Sequence, residues 1–240
     1  MTNAILWFIL LIVNFLLIML CYKLFGKAGL FSWIAISTIL ANIQVLKTVE
    51  LFGIVMTLGN IVHATSFLAT DILSEQYSKE DANKGVNIGV FSLLASTLVM
   101  NICLYFVPHE TDIADAALKQ IFSIMPRIAL SSVISYALTQ KLDVWLFHKI
   151  KDKYPKQLWL RNNVATITSQ LVDAVLFNLM AFAGVLPWNI IWQIFISTFI
   201  LKAVVALFDT PVIYWAVKIT PADNEERLIL QAHRKTADSD

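Results

Sequence analysis

Charged residues are scarce in this 240-residue chain: Asp, Glu, Lys and Arg make up 15% of it, whereas hydrophobic residues make up 58%. A soluble globular domain carries roughly a quarter charged residues. A chain with this apolar load has too little polar surface to cover itself in water. With a mean hydropathy of +0.70, the sequence excludes an ordinary soluble domain and indicates a membrane protein.

The sequence also lacks the motifs of several enzyme and channel classes. It contains no H-E-x-x-H, no G-x-S-x-G and no phosphate-binding P-loop, which are signatures of metalloproteases, α/β-hydrolases and nucleotide hydrolases. A Gly-rich repeat like a potassium-channel filter is also missing. The two cysteines, Cys21 and Cys103, lie in separate apolar runs without CxxC spacing, so neither a disulfide nor a metal site is indicated. We therefore expect a protein that is not an enzyme and has no cofactor.

Long apolar runs predict an all-α membrane protein, a bundle of about seven transmembrane helices. Each run greatly exceeds the roughly 10 residues of a membrane β-strand, and none alternates between apolar and polar residues. Residues 1–220 are expected to form one transmembrane helical domain, followed by a polar cytoplasmic tail over 221–240. The expected helices cover about 4–22, 30–46, 54–73, 86–107, 121–147, 164–186 and 190–217.

Lys and Arg are concentrated in some of the predicted connections. The stretch 148–156 carries four lysines and Arg161 follows it, whereas the connection before Ile121 is acidic. Loops rich in Lys and Arg stay in the cytoplasm. The basic connections all fall on one side when seven spans begin outside the cell, which puts the C-terminus in the cytoplasm. We therefore expect a multi-pass protein of the cell inner (plasma) membrane, surrounded by the lipid bilayer.

Polar and ionisable residues inside the predicted spans are the main pointer to function. A charge at the bilayer centre costs about 2.5 to 3.5 kcal/mol even on lenient scales, so such residues face a cavity or a partner. Most of them fall three, four or seven residues apart, which places each set on one helix face. They could line a shared interior site, or they could pair and hold the bundle together. The residues in question are Asp71, Glu75, Arg127, Gln140, Asp143, Asn163, Gln170, Asp173, Lys202 and Asp209.

A short internal repeat lies on two consecutive predicted helices. Residues 139–147 and 169–177 share the pattern [ST]-Q-x-x-D-x-x-L-F. Gln140 and Gln170 are equally far from Pro155 in the connection between them, so we expect both at similar depth. A repeated polar motif on antiparallel helices is typical of transporter sites built from related elements.

The order of these motifs resembles the queuosine precursor transporter family from about residue 34 to residue 218. The resemblance implies a six-helix family core plus an N-terminal helix. It also implies import of 7-deazaguanine bases, such as the 7-cyano or 7-aminomethyl forms, for tRNA modification. The partner is then a small molecule and not a nucleic acid. The resemblance is carried by ATDILSE at 69–75, Arg127, LDVWLFHK at 142–149, WLRNN at 159–163, Ser169-Gln170 with Asp173, and FDTP at 208–211.

The expected substrate suggests roles for these residues. A deazaguanine carries a lactam N–H beside an exocyclic amine, a pair of donors that one carboxylate can accept. Aromatic rings can stack on the flat base, a contact worth about 1 to 3 kcal/mol in nucleic-acid sites. The candidate carboxylates are Asp71, Glu75, Asp143 and Asp173, the candidate amides are Gln140, Gln170 and Asn163, and the candidate rings are Trp145, Phe177 and Phe67.

Three modes of action stay open from the sequence. The leading one is a secondary carrier or facilitator that works by alternating access. The second is the substrate-binding membrane subunit of a multi-component, ATPase-energised vitamin or nucleobase uptake system, although no motif for such a partner is evident. The third, an intramembrane enzyme, lacks any nucleophile–base pair. A homodimer is left open.

Overall fold

The computed structural model describes residues 2–51, 54–122, 126–184, 187–225 and 228, and these residues are largely helical. Strands β1 (Thr48–Leu51) and β2 (Ile54–Thr57) form an antiparallel hairpin between the first two helices. The helices are α1 (Thr2–Gln44), α2 (Asn60–Gln76), α3 (Lys79–Cys103), α4 (Asp115–Phe122), α5 (Pro126–Lys153), α6 (Leu158–Phe182) and α7 (Trp188–Lys218).

Large apolar side chains lie on the outside of this bundle, and polar ones lie inside it. Phe91 and Leu98 on α3 are 71% and 62% exposed, whereas Asp71 on α2 is 1% exposed. Only lipid makes such an arrangement favourable, because apolar surface in water is costly. By length and composition, 4 helices of the described chain can cross a membrane: Asn3–Gln44, Lys79–Cys103, Leu158–Phe182 and Ile191–Lys218. The molecule is an all-α membrane protein apart from its short hairpin.

Helix α1 contains the first two predicted spans and is broken at Gly26. The backbone there has φ 55° and ψ −133°, a conformation that residues with a side chain rarely adopt. After the break, the Lys27 N–H donates to the Asp223 carboxylate at 2.8 Å, and the Tyr77 hydroxyl donates to the same carboxylate at 2.7 Å. Asp223 therefore caps the second half of α1 and ties it to the segment after α7.

Helix α2 is the central helix of the bundle. Within Asn60–Gln76 every residue except His63 and Glu75 is buried. Some of its hydroxyl groups bond within the helix: Thr65 donates to the carbonyl of Val62, and Ser66 donates to that of His63. These groups are satisfied locally. Because protein surrounds α2, it does not need the apolar surface that lipid-facing helices require.

Helix α3 packs closely against its neighbours through two glycines. A Cβ at Gly89 would lie 2.3 Å from the Tyr136 hydroxyl of α5, and one at Gly85 would lie 2.8 Å from Ile34 of α1. Small residues four apart let membrane helices approach in this way. The spacing of α3 from α5 thus depends on Gly89.

Several predicted boundaries were wrong. Residues 54–57 form β2 and not the start of a helix, since β-branched residues favour strands and Gly59, at φ 87°, begins α2 only afterwards. The span predicted over 121–147 is divided between α4 and α5, and α5 begins at Pro126, where proline suits a first turn. Helix α5 also continues to Lys153, so half of the predicted basic loop is helical. Helix α3 begins early, at Lys79, because Ser78 caps it by accepting from Asp81 N–H at 2.9 Å.

The basic connections meet at one end of the bundle. Lys27 lies 3.6 Å from Asp81, Lys151 lies 2.9 Å from Glu75, and the Trp159 N–H donates to the Tyr214 hydroxyl. We call this the basic end, comprising residues 23–27, 77–84, 148–161 and 214–223. The opposite end holds the β1–β2 hairpin, where Asn3 donates to the carbonyl of Glu50 at 3.0 Å. We call it the hairpin end.

Candidate functional site

Helices α2, α5, α6 and α7 turn their polar side chains toward one another. These side chains form a polar column along the middle of the bundle, from the hairpin end to the basic end. Four layers can be distinguished along it. In order, they are a cavity, an amide layer, a group of three aspartates and an ion-pair layer.

The cavity has a volume of about 280 Å³ and lies in the hairpin half of the bundle. Its wall is made by the end of α1, the start of α2 and the adjacent halves of α5, α6 and α7. Ligand pockets are mostly apolar with a few polar groups that fix orientation, and this wall has that composition. Its residues include Asn42, Gly59, His63, Tyr136, Asp173, Phe177, Asn178, Phe182 and Lys202.

A charged pair lies at the inner wall of the cavity. The Lys202 ammonium donates to the Asp173 carboxylate, and the Ser135 hydroxyl donates to Asp173 Oδ1 at 2.6 Å. His63 Nε2 lies 3.6 Å from Asp173 Oδ2. An unpaired charge at this depth would be costly, and Lys202 neutralises it. The pair presents a cationic donor and an anionic acceptor side by side.

Three polar atoms of the cavity wall have no hydrogen bond of regular geometry within the described residues. They are the hydroxyl of Tyr136, Nε2 of His63 and the side-chain oxygen of Asn178, whose amide group donates to the carbonyl of Ala174. Buried polar groups are nearly always hydrogen-bonded, and exceptions call for an explanation. A polar ligand in the cavity would supply the missing partners.

The amide layer lies next to the cavity, on the side toward the basic end. Gln140 Nε2 donates to the Ser66 hydroxyl at 2.9 Å, and Gln140 Oε1 accepts from Thr70 at 3.1 Å. The amide of Gln170, on α6, is fully buried, and neither of its polar atoms has a hydrogen bond to a described residue. One glutamine of the repeat is thus held by α2, and the other is free to bond.

The third layer holds three aspartates from three helices, which we call the aspartate triad: Asp71, Asp143 and Asp209. Each is at most 1% exposed, and they lie close enough to interact electrostatically with one another. The Thr166 hydroxyl donates to Asp71 Oδ2 at 3.1 Å. The other five carboxyl oxygens have no hydrogen bond of regular geometry in the described part of the chain.

The ion-pair layer closes the column at the basic end. Glu75 lies between two cations: Arg161 at 2.6 Å and Lys151 at 2.9 Å. Arg161 also donates to the carbonyl of Pro155 at 2.8 Å, and its guanidinium lies over the Phe147 ring. Since Arg161 is almost fully buried, this layer holds α2, α5 and α6 together.

The structure divides the residues predicted for one site among these layers. Asp173, Phe177 and Lys202 line the cavity. Gln140, Gln170, Asp71, Asp143 and Asp209 form the middle of the column, and Glu75 lies at its basic end. Asn163 faces α7, where its amide donates to the Thr210 hydroxyl at 2.6 Å.

One of the predicted residues falls elsewhere, and another is not described. Trp145 is 46% exposed on the outside of α5, with the Lys149 ammonium 4.5 Å from its ring centroid, so its ring does not face the cavity. Arg127 belongs to the first turn of α5, and its side chain lies outside the described residues. Phe67, the third candidate ring, is fully buried beside His63.

Sequence reasoning missed Tyr136, Asn178 and His63 as members of the cavity wall. Tyr136 precedes Gln140 by four residues and Gln140 precedes Asp143 by three, so helical spacing could have added it to that stripe. His63 likewise lies eight residues before Asp71, with Phe67 midway. Tyrosine and histidine are common in ordinary cores, which is why the spacing alone did not single them out.

The repeated motif occupies equivalent positions on α5 and α6. Residues 133–146 and 163–176, which are 30 positions apart, have the same degree of burial at each position. Ser135 on α5 bonds Asp173 on α6, and Asp143 lies beside Thr166 and Ser169. These antiparallel contacts bring Gln140 and Gln170 to similar depth. The two helices therefore present related polar faces to the column in opposite directions.

A bundle with apolar side chains outside and a polar column inside is a multi-pass membrane protein of the kind that includes transporters and channels. Comparison with known proteins narrows this class. The model of a family described as "Putative vitamin uptake transporter" matches residues 57–216, which span α2 to most of α7. No solved structure matches the chain.

Two relatives carry more specific names. The "Probable queuosine precursor transporter" of Bacillus subtilis (strain 168) is 44% identical over 229 residues, 95% of this chain and 99% of that protein. The "Queuosine precursor transporter" of Escherichia coli (strain K12) is 26% identical over 161 residues, 67% of this chain and 70% of that protein. The chain belongs to the vitamin uptake transporter family, which confirms the resemblance given by its motifs.

Proposed function

We propose that this protein imports queuosine precursors, 7-deazaguanine bases such as the 7-cyano or 7-aminomethyl forms, for tRNA modification. The 44% identity to the Bacillus subtilis relative extends over nearly the whole of both chains. The observation in the structure that carries the proposal is the cavity of about 280 Å³ with Asp173 and Lys202 side by side in its wall.

This charged pair matches one edge of the base. A deazaguanine has a carbonyl oxygen next to a ring N–H and an exocyclic amine. Lys202 can donate to the carbonyl oxygen while Asp173 accepts from the N–H groups, and charge-assisted bonds of this kind are the strong ones. Phe177 and Phe182, both in the cavity wall, offer rings for stacking on the base. Asn178 and Tyr136 supply further polar contacts.

The rest of the column supplies a route toward the cytoplasm. In the described conformation the cavity lies in the hairpin half, and the Glu75 ion pairs close the basic end. We take this as the outward-facing state of an alternating-access carrier. The inward-facing state would separate Arg161 and Lys151 from Glu75, so that the substrate leaves past the amide layer while Asp71, Asp143 and Asp209 gain access to the cytoplasm. Asn163 lies next to this path.

Seven membrane crossings fit this picture. They are the two halves of α1, together with α2, α3, α5, α6 and α7, while α4 and the hairpin lie outside the cell. The basic end then faces the cytoplasm, as the distribution of Lys and Arg requires. The N-terminus is outside, and the tail over 221–240 is cytoplasmic. The protein is placed in the cell inner (plasma) membrane.

Uptake by cells tests the proposal. Cells unable to make queuosine, and lacking their own importer, are given this chain and radiolabelled 7-cyano-7-deazaguanine. Phe177→Ala should raise the substrate concentration for half-maximal uptake about tenfold, since stacking on a base is worth roughly 1 to 3 kcal/mol. Phe91→Ala on the lipid-facing side of α3 is the matched control and should transport normally.

The proposal fails if the unchanged chain, inserted in the membrane, gives no uptake of any 7-deazaguanine base. Uptake by the purified chain alone in liposomes would separate the carrier from the alternative of a subunit energised by an ATPase. A chain that binds the base yet transports it only with an added ATPase would support that alternative.

A further inference from the structure

We propose that the aspartate triad is a proton-binding site separate from the substrate cavity, and that protons bound there enter the cell with the substrate. This inference rests on the proposed function and adds the driving force for substrate transport. The ligand is the proton, taken up by a carboxylate as its O–H form and released on the other side of the membrane.

The triad is set apart from the cavity. Asp71, Asp143 and Asp209 do not belong to the cavity wall. On α2, eight residues separate His63 in that wall from Asp71, which is about 12 Å at 1.5 Å per residue. Gln140, bonded to Ser66 and Thr70, lies between the two. A base bound in the cavity therefore leaves the triad free for another ligand.

Among the described residues, the triad has no countercharge. Within the described residues, no Lys, Arg or His side chain forms an ion pair with any of its three members. The charged groups in the neighbouring layers of the column are paired with one another instead. His63 and Lys202 contact Asp173, and Lys151 and Arg161 contact Glu75. Further charged residues on these helices, such as Lys141, Lys149 and Lys218, are exposed.

Three carboxylates this close cannot all be ionised in a buried site, because burial and like charges both oppose ionisation. The remaining way to neutralise them is with protons. A protonated carboxyl group gains an O–H donor, and the site offers acceptors for it, since five of the six carboxyl oxygens have no regular hydrogen bond. A proton can therefore be shared between Asp71 and Asp143, which are in hydrogen-bond contact, while Asp209 acts on both through its charge.

A second observation points to a ligand at the same place. The Ser169 hydroxyl is fully buried beside Asp143 and also lacks a hydrogen bond of regular geometry. Together with Thr166, which donates to Asp71, it adds hydroxyl groups that can donate or accept as protons come and go. If only packing were required, apolar residues would fill this space at lower cost.

The position of the triad explains how proton and substrate movement are coupled. It lies between the cavity and the Glu75 ion pairs, so one barrier separates both ligands from the cytoplasm. When the ion pairs part, the triad gains access to the less acidic cytoplasm and releases its protons. A carrier that can reorient only when the triad is neutral then moves substrate and protons together.

Liposomes containing the purified full chain test this inference, with valinomycin and equal potassium clamping the membrane potential. Radiolabelled 7-cyano-7-deazaguanine and an internal pH dye are followed together. With an acidic exterior, the unchanged chain should accumulate the base, up to about tenfold per pH unit for one coupled proton. Adding the base should also acidify the interior.

Asp143→Asn and Asp209→Asn should abolish accumulation and base-dependent acidification. They should retain base binding by the detergent-solubilised chain, which also shows that the variants are folded. The matched control is Asp152→Asn, an exposed aspartate at the basic end, and it should behave as the unchanged chain does.

Downhill uptake by the unchanged chain without base-dependent acidification would overturn the proton site and leave the proposed function standing. Accumulation driven by a sodium gradient at equal pH would overturn it as well, in favour of a sodium site. Absence of uptake under every gradient would overturn both proposals.

Discussion

At the residue scale, substitutions of Asp173 and Lys202 can show whether this pair serves stability or substrate binding. Removing one member of a buried pair leaves an uncompensated charge and typically costs about 3 to 5 kcal/mol. Replacing both by neutral residues of similar size removes that penalty. If the pair serves only stability, replacing both residues together should do little harm. If the pair binds substrate, the double replacement should abolish binding.

Lys202→Met should lower the melting temperature of the detergent-solubilised chain strongly, because Asp173 then remains buried with His63 and Ser135 alone. The double variant Asp173→Asn with Lys202→Met should recover most of this loss. It should nevertheless fail to bind 7-cyano-7-deazaguanine, because the Lys202 donor is gone and a neutral amide with a single acceptor oxygen replaces the carboxylate that accepts from both N–H groups. Thermal unfolding and equilibrium binding are measured on the same samples.

The same pair was predicted from the sequence only as two separate residues. The cost of burying charge identified Asp173 and Lys202 as members of the interior. Their mutual contact could not be foreseen, because Asp173 and Lys202 lie on different helices and no spacing rule connects α6 with α7. The side chain of Trp145 was placed in the site by mistake. Its neighbour Val144 is buried, but one position further along the helix the Trp145 ring lies on the lipid face.

At the element scale, the break in α1 depends on one glycine and one carboxylate. Gly26 has a positive φ, and a Cβ there would lie 1.9 Å from Asp223 Oδ1. Burial and the neighbouring Asp223 carboxylate raise the pKa of Tyr77, so its phenol stays protonated and donates to Asp223. The two halves of α1, the end of α2 and the segment after α7 are therefore joined at one point.

Asp223→Ala should destabilise the protein by about 1 to 2 kcal/mol, because it removes a helix cap along with the partner of Tyr77. Gly26→Ala should cost about 1 to 3 kcal/mol through its backbone conformation alone. Both effects are measured as shifts in the thermal unfolding of the solubilised chain. Gly184→Ala is the comparison: its φ is 77°, but no atom of the described residues lies within 4 Å of the added Cβ, so it should be the milder change.

The Glu75 ion pairs are expected to act as the barrier at the basic end. Glu75→Gln should weaken the attraction to Arg161 and Lys151 and shift the protein toward the inward-facing state. In a background without Cys21 and Cys103, a cysteine placed by Thr166→Cys should then react faster with a polar reagent from the cytoplasmic side. The ion pair of Asp115 and Lys119 on α4 serves as control, so Asp115→Asn should leave the rate unchanged. An equal rate with and without Glu75→Gln would show that these ion pairs are not the barrier.

Helices were easier to predict than the boundaries between them. Apolar length alone predicted the long segments. It did not separate α4 from α5, because the sequence stays apolar up to Pro126, nor did it reveal the hairpin, whose β-branched residues are also common in membrane spans. The central helix α2 was predicted from its apolar part, and its rich content of Ser and Thr became understandable only once protein was seen to surround it.

On the scale of the whole molecule, the polar column makes the two ends of the bundle different from each other. A cavity in the hairpin half, a closed basic end and an uncompensated triad between them form an asymmetric route across one bundle. The related faces of α5 and α6 suggest how the opposite state could arise, since the two helices present similar motifs in opposite directions. Sequence reasoning foresaw a shared interior site, and the structure instead distributes those residues over successive layers.

A substrate-bound structure of the purified chain with 7-cyano-7-deazaguanine tests the central claim most directly. The base should lie in the cavity against Phe177, with its carbonyl oxygen near Lys202 and its N–H groups near Asp173. A base in the second, mostly apolar cavity of about 300 Å³ between α1, α3 and α4 would contradict this binding site. A base on the lipid-facing surface, with the cavity beside Asp173 empty, would contradict it equally.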